Sequence, residues 1–147
     1  YVASLMSQFV PIKHPFIDSS KAPIYLMSFG ATTTDDELRA CCAAREAWAE
    51  IAKHKVSWVV DLSRVMDVTA KQRRIFAEHL TRFEPHDVAY NQGSALIVPN
   101  TFLRGVLTAI FWLKPPRFPH QTFMTRAEAF AWAEKRIRGD GATQPTL

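Results

Sequence analysis

Cysteine is scarce in this chain, and its placement excludes a disulfide framework. Cys41 and Cys42 are adjacent in a stretch that reads as helix. Neighbouring helical side chains point about 100° apart, so a bridge between them would be strained. Lone buried thiols in a reducing compartment follow. Long apolar runs are missing too: the most continuous, Gly105 to Leu113, spans nine residues, whereas a membrane span needs about 20. Tyr1 to Ser7 lacks the basic start and long apolar stretch of a secretory leader, so a cytoplasmic protein is expected. The phosphate-cradling and nucleophile motifs are absent: there is no Gly-x-Gly-x-x-Gly, no loop ending in Gly-Lys-Ser/Thr and no Gly-x-Ser-x-Gly. The five histidines, His14, His54, His79, His86 and His120, include no i, i+4 pair and no accompanying Cys-x-x-Cys. That removes the usual metal patterns. No cofactor, no metal and no enzymatic activity are expected.

What is present is ordinary globular material. The 147 residues are 48% apolar and 22% charged, enough for one domain and too few for two separate cores. Net charge is +4, unevenly spread: residues 1–67 carry seven basic and eight acidic groups, residues 68–147 eleven and six. Lys71, Arg73 and Arg74 open one helix, and Lys135, Arg136 and Arg138 close another, where cations suit the negative helix end. The excess could attract an acidic or phosphate-bearing partner. Nucleic acid is disfavoured, because the aromatics beside these charges lie on a core face.

Four helices are expected. Three open with a Thr-x-x-Glu/Gln capping box at Thr34, Thr69 and Thr125. The first runs from about Asp35 to Lys55, with Leu38, Cys41, Trp48 and Ile51 inward. The second runs from Ala70 to Phe83, with Ile75, Phe76, His79, Leu80 and Phe83 inward, His79 reading as a core or boundary residue; Pro85 stops it. The third spans Thr101 to Leu113. The fourth spans Arg126 to Arg138, with Phe130, Ala133 and Ile137 inward, and is closed by Gly139. Strands are expected within Phe9–Ile17 and at Ile24–Phe29, Val56–Val60, Ala95–Val98 and Gln121–Met124, with Asp18–Lys21 as a hairpin turn. This alternation gives an α/β fold: one mostly parallel sheet of about five strands, an antiparallel N-terminal edge, and four helices. Residues 1–8 are expected to be disordered or an expression remnant (Met6 being the natural start), residues 9–138 to form the domain, and 139–147 to be a flexible tail.

Two segments stand out as candidate sites. The third helix has only Arg104 and Thr108 as plainly polar positions, and their stripe continues to Phe111 and Trp112. A surface helix normally keeps a polar face, so something should cover this one. The second segment is the strand-to-helix turn from Val59 to Thr69, where Asp61, Ser63, Asp67 and Thr69 gather. Strand carboxyl ends beside helix N-termini are where open α/β sheets place ligands and regulatory groups.

Val60-Asp61-Leu62-Ser63-Arg64-Val65 followed by Met66-Asp67-Val68-Thr69-Ala70 resembles the STAS (SpoIIAA-like) fold. Its hallmark is a strand entering Asp-Leu-Ser, then Asp-Ser-Ser-Gly opening a helix. Thr69 stands at the family's phosphorylatable serine, and the glycine is absent. Within that group the chain is similar to bacterial STAS/SEC14-like proteins through Val98-Pro99, Arg104-Gly105 to Phe111-Trp112-Leu113-Lys114-Pro115-Pro116, and Phe123 to Trp132, over roughly residues 16–137. The resemblance implies a non-enzymatic regulatory module that binds another protein. Phosphorylation at Thr69 or Ser63 would switch it, with Asp61, Asp67, Lys71, Arg73 and Arg74 supporting the turn. Two alternatives stay open. One is a carrier of lipid or another apolar ligand, with Arg104 at the headgroup. The other is self-association through Arg104, Thr108, Phe111, Trp112, Pro115 and Pro116.

Overall fold

The computed structural model describes residues 8–139; the expectations for residues 1–7 and 140–147 lie outside them. The elements are β1 (Ile17–Asp18), β2 (Ile24–Ser28), α1 (Asp35–Ala49), β3 (Val56–Asp61), α2 (Ala70–Tyr90), β4 (Asn91–Ile97), α3 (Thr101–Leu113), β5 (His120–Phe123) and α4 (Arg126–Arg138). The five strands lie in chain order, β1 antiparallel to β2 and every other pair parallel. The expected α/β architecture is therefore the observed one.

Strands laid side by side in chain order dictate where the helices go. Each right-handed crossover leaves its helix on the same face, so α1, α2 and α3 share one side. Only the last helix, α4, crosses to the other side, where it covers β2, β3 and β4. Side chains sort accordingly with the two-residue period of a strand. Tyr25, Met27, Trp58, Val60 and Leu96 join the core under α1 and α2. Their neighbours Ile24, Leu26, Val59, Ala95 and Ile97 pack with Ala129 and Ala133 of α4. That second interface is close: a Cβ at Gly93 would stand 2.7 Å from the Trp132 ring, so β4 needs a glycine there.

The capping reading holds for α1 and α2, where Thr34 with Glu37 and Thr69 with Gln72 form complete reciprocal boxes. At α4 it is half-made: the Thr125 Oγ1 accepts from the Glu128 N–H, but the Glu128 carboxylate takes the hydroxyl proton of Thr125 rather than its backbone N–H. The bounds of α3 and α4 are as read from the sequence, and Gly139 ends α4 in the left-handed region at φ 80°.

Three expectations are corrected. α1 stops at Ala49, because the chain tightens into three-residue turns at Glu50 and Ile51 on its way to β3. Ile51 is consequently exposed, and Cys42 and Arg45 join Leu38, Cys41 and Trp48 on the buried face. α2 continues through Pro85 to Tyr90. The proline sits exposed and forfeits one helical bond. The turn beyond it is anchored by buried His86, bonded to the Ala52 carbonyl at 2.8 Å, and by buried Asp87, which accepts from Asn91 at 3.0 Å. The N-terminal strand shrinks to Ile17–Asp18, since Pro11 and Pro15 cannot donate to a ladder.

Candidate functional site

The rim segment begins where β3 ends. Asp61 is buried, flanked in register by Ser28 of β2 and Ile97 of β4. Its Oδ1 accepts from the Ser63 N–H at 2.9 Å, which folds the chain back into an Asx turn. Its Oδ2 accepts from Arg126 Nε at 2.7 Å, tying the turn to the first residue of α4. Burial pushes this carboxyl upward, but the bonds from Ser63 and Arg126 outweigh it and hold it below the ordinary aspartate value. Asp61 is thus an ionised anchor. Ser63 and Asp67 are exposed beyond it, and Met66 N–H closes the loop onto the Ala31 carbonyl at 3.0 Å.

Thr69 is exposed at the N-terminus of α2, its hydroxyl oxygen occupied by the Gln72 N–H at 3.0 Å. Gln72 in turn donates to the Thr33 carbonyl at 2.6 Å, and Lys71 pairs with Asp35 at 3.3 Å. The starts of α1 and α2 are therefore linked side by side. Arg73 donates to the Val68 carbonyl at 3.1 Å, and Arg74 is exposed. Of the three cations read as phosphate partners, two already have local work.

Along α3 the buried positions are Leu103, Val106 and Ile110, on the side facing α2. Trp112 is 83% exposed, with Leu113 at 55% and Phe102 at 50%. Arg104, Thr108 and Pro115 are exposed beside them, and Pro116 is half-buried. Phe111 parts from Trp112: it turns inward, edge-on to His120 with centroids 5.3 Å apart. Among the described residues nothing wraps this helix, and an apolar strip is left exposed.

Beneath α3 lies a cavity of about 110 Å³. Its walls come from the sheet (Met27, Leu96), α2 (Phe76) and α3 (Leu107), and Asp67 reaches it at the rim. Arg45 and Asp87 also line it, a pair the sequence reading passed over. Arg45 stands in the apolar stripe of α1, three and four residues from Cys42 and Cys41; a cation in such a stripe was the available signal. Burial raises the thiols of Cys41 and Cys42 to about 11 and about 12, so neither is a thiolate nucleophile at neutral pH. Among the described residues no three His, Cys, Asp or Glu side chains gather to hold a metal, and no helix is long and apolar enough to cross a membrane.

The sequence matches no family model and no curated protein. The fold has a solved counterpart: an anti-sigma-factor antagonist (STAS) domain protein from Planctomyces limnophilus aligns over 84% of this chain and 97% of that one, with a TM-score of 0.50 at 16% identity. The chain has the STAS fold. The Asp61–Thr69 turn lies at the end of β3, beside the N-terminus of α2. At this identity the likeness is one of architecture, and the role must be argued from the side chains.

Proposed function

We propose that this protein is a non-enzymatic, cytoplasmic regulatory module of STAS type that binds another protein through the exposed face of α3. The observation that carries the reading is Trp112, left in solvent with Phe102 and Leu113 on a helix whose other face is buried. An exposed apolar patch of large side chains marks an interaction surface. Its charge defines the partner: residues 101–118 contain no acid, and Glu84 of α2, 2.9 Å from Lys114 and 3.9 Å from Arg117, balances only one of these cations, while Arg104 is exposed, so the border stays positive. A protein with an apolar patch bordered by carboxylates is complementary. Two copies of this face would oppose like charges, which disfavours self-association. A two-chain lipid is far larger than the 110 Å³ cavity, which disfavours a lipid carrier.

The rim supports a switch. A phosphoryl group on Thr69 adds up to two negative charges at a helix N-terminus. It would draw Lys71 from Asp35 and so loosen the link between α1 and α2; Ser63, exposed on the same turn, is the second acceptor. The test is calorimetry with an identified partner. Trp112→Glu should weaken binding at least tenfold, and Thr69→Glu should change it measurably. Unchanged affinity in Trp112→Glu overturns the docking face, and unchanged affinity in Thr69→Glu overturns the switch.

A further inference from the structure

Gly105 is a glycine that its own chain does not require. Among the described residues it is the one glycine inside a helix, in the middle of α3, where glycine is the poorest helix former after proline. Its φ is not positive, and a Cβ built on it would meet no atom within 4 Å. Alanine would fit there and hold the helix better. The remaining use of a glycine is to let a foreign surface come close to the backbone.

The surroundings give that surface a shape. Phe102, Gly105, Ala109 and Trp112 follow a three-four-three spacing, which at 3.6 residues per turn keeps them within about 80° of the helix circumference. Phe102 and Trp112 are exposed, Gly105 is exposed and Ala109 is half-buried. The two large rings thus stand about 15 Å apart along the axis at 1.5 Å per residue, with the two smallest side chains between them. A flat sheet face would rest on the rings and leave the dip empty. A helix, about 10–12 Å across with its side chains, fits between them, and small residues at the crossing shorten the distance between helix axes.

Charge gives the rest. α3 contains no acid. Arg104 is exposed beside the strip and, among the described residues, forms no ion pair. At the far end Lys114 and Arg117 share one carboxylate, Glu84. Carboxylates are the complementary border.

We propose that the element docked on α3 is an amphipathic helix with acidic borders, crossing over Gly105 and Ala109 between Phe102 and Trp112. This rests on the reading that the exposed face of α3 binds a protein, and adds the shape and charge of what binds.

Peptide display against the full chain tests it. The probes are three libraries of equal length: helix-forming peptides with an apolar face and Glu-rich borders, the same peptides with Lys-rich borders, and hairpin-forming peptides. Only the Glu-rich helical library should yield binders whose affinity, by calorimetry, falls at least tenfold in both Gly105→Leu and Trp112→Glu. Gly105→Ala should melt about 3 °C above the unsubstituted chain yet bind these peptides more weakly. Binders lost in Trp112→Glu but indifferent to Gly105→Leu overturn the helix in the dip and leave the docking face standing. Absence of any binder sensitive to Trp112→Glu overturns both. Lys-rich or hairpin binders that Gly105→Leu weakens overturn the stated chemistry. A dimer in sedimentation that Gly105→Leu dissociates would give the dip to a second copy. Binding to vesicles of equal phosphatidylcholine and phosphatidylglycerol that Gly105→Leu strengthens would give it to a membrane. Either result overturns the proposal.

Discussion

Arg45 donates to Nε2 of His79 at 2.7 Å, and this one bond fixes the tautomer of the buried imidazole. Arginine has no acceptor, so Nε2 must carry the lone pair and Nδ1 the hydrogen. Nδ1 then donates to Glu46 at 2.7 Å, and Arg82 Nε holds the same carboxylate at 3.0 Å. Burial first, then the Arg45 and Arg82 charges, hold the His79 imidazole neutral, well below its usual 6.5.

A pH dependence follows from these groups. His79 and His86 are both lowered by burial, so below about pH 6.5 the unfolded chain takes up protons that the folded one refuses, and stability falls. Asp87 acts oppositely: burial raises it from 3.8 to about 6, so its contribution is present at low pH and lost as pH rises through 6. Thermal melts from pH 5 to 8 should show a decline below pH 6.5. Asp87→Asn should raise stability at pH 8, by up to about 3 kcal/mol from the roughly two-unit shift at about 1.4 kcal/mol per unit, and steepen the acid decline. A variant that melts like the unsubstituted protein at pH 8 contradicts this.

The Asp61–Arg126 bond predicts a second acid effect. The folded carboxyl lies below its ordinary value, so its stabilisation is present above pH 4 and lost as pH falls through the lowered value. Asp61→Ala should cost about 1–3 kcal/mol at neutral pH, since it orphans the Ser63 N–H and the Arg126 contact. Its stability should also vary less with pH below 4. Urea unfolding at pH 7 and pH 3.5 measures both.

Thr69 serves α2 as its cap, whatever else it does. Thr69→Ala removes one half of a complete capping box and should cost about 1 kcal/mol, while Thr69→Ser should be nearly neutral. Chemical denaturation reads the difference; an Ala variant as stable as Ser would mean that the box is not made.

Trp112 separates interface from core. Because the ring is exposed, Trp112→Glu should change unfolding free energy by no more than about 0.5 kcal/mol, and circular dichroism melts should overlay. A large loss would place the ring in the core.

Much of this molecule is legible before folding. The α3 and α4 bounds follow from local signals, an apolar run ended by Pro115-Pro116 and a Thr cap with a closing glycine. The rim is legible because Asp61-Leu62-Ser63 is turn chemistry at a strand end. What was missed depends on distance along the chain. Arg126 meets Asp61 across 65 residues, and His79 meets Arg45 across 34; neither spacing leaves a periodic trace. Pro85 misled because the turn beyond it is held by the His86–Ala52 and Asn91–Asp87 hydrogen bonds, the first of which spans 34 residues and leaves no local signal. The inward turn of Phe111 away from Trp112 is a matter of 100° on one helix, decided only by where α2 packs.

Site-specific photocrosslinking addresses the docking face most directly. A benzophenone side chain would replace Trp112 in one version and exposed Glu134 on α4 in another, with captured proteins identified by mass spectrometry in the source cells. The account predicts one protein with an acidic-rimmed apolar surface captured at position 112 and absent at 134, its binding to the purified chain lost in Trp112→Glu. Identical captures at both positions, or undiminished binding to Trp112→Glu, would contradict it.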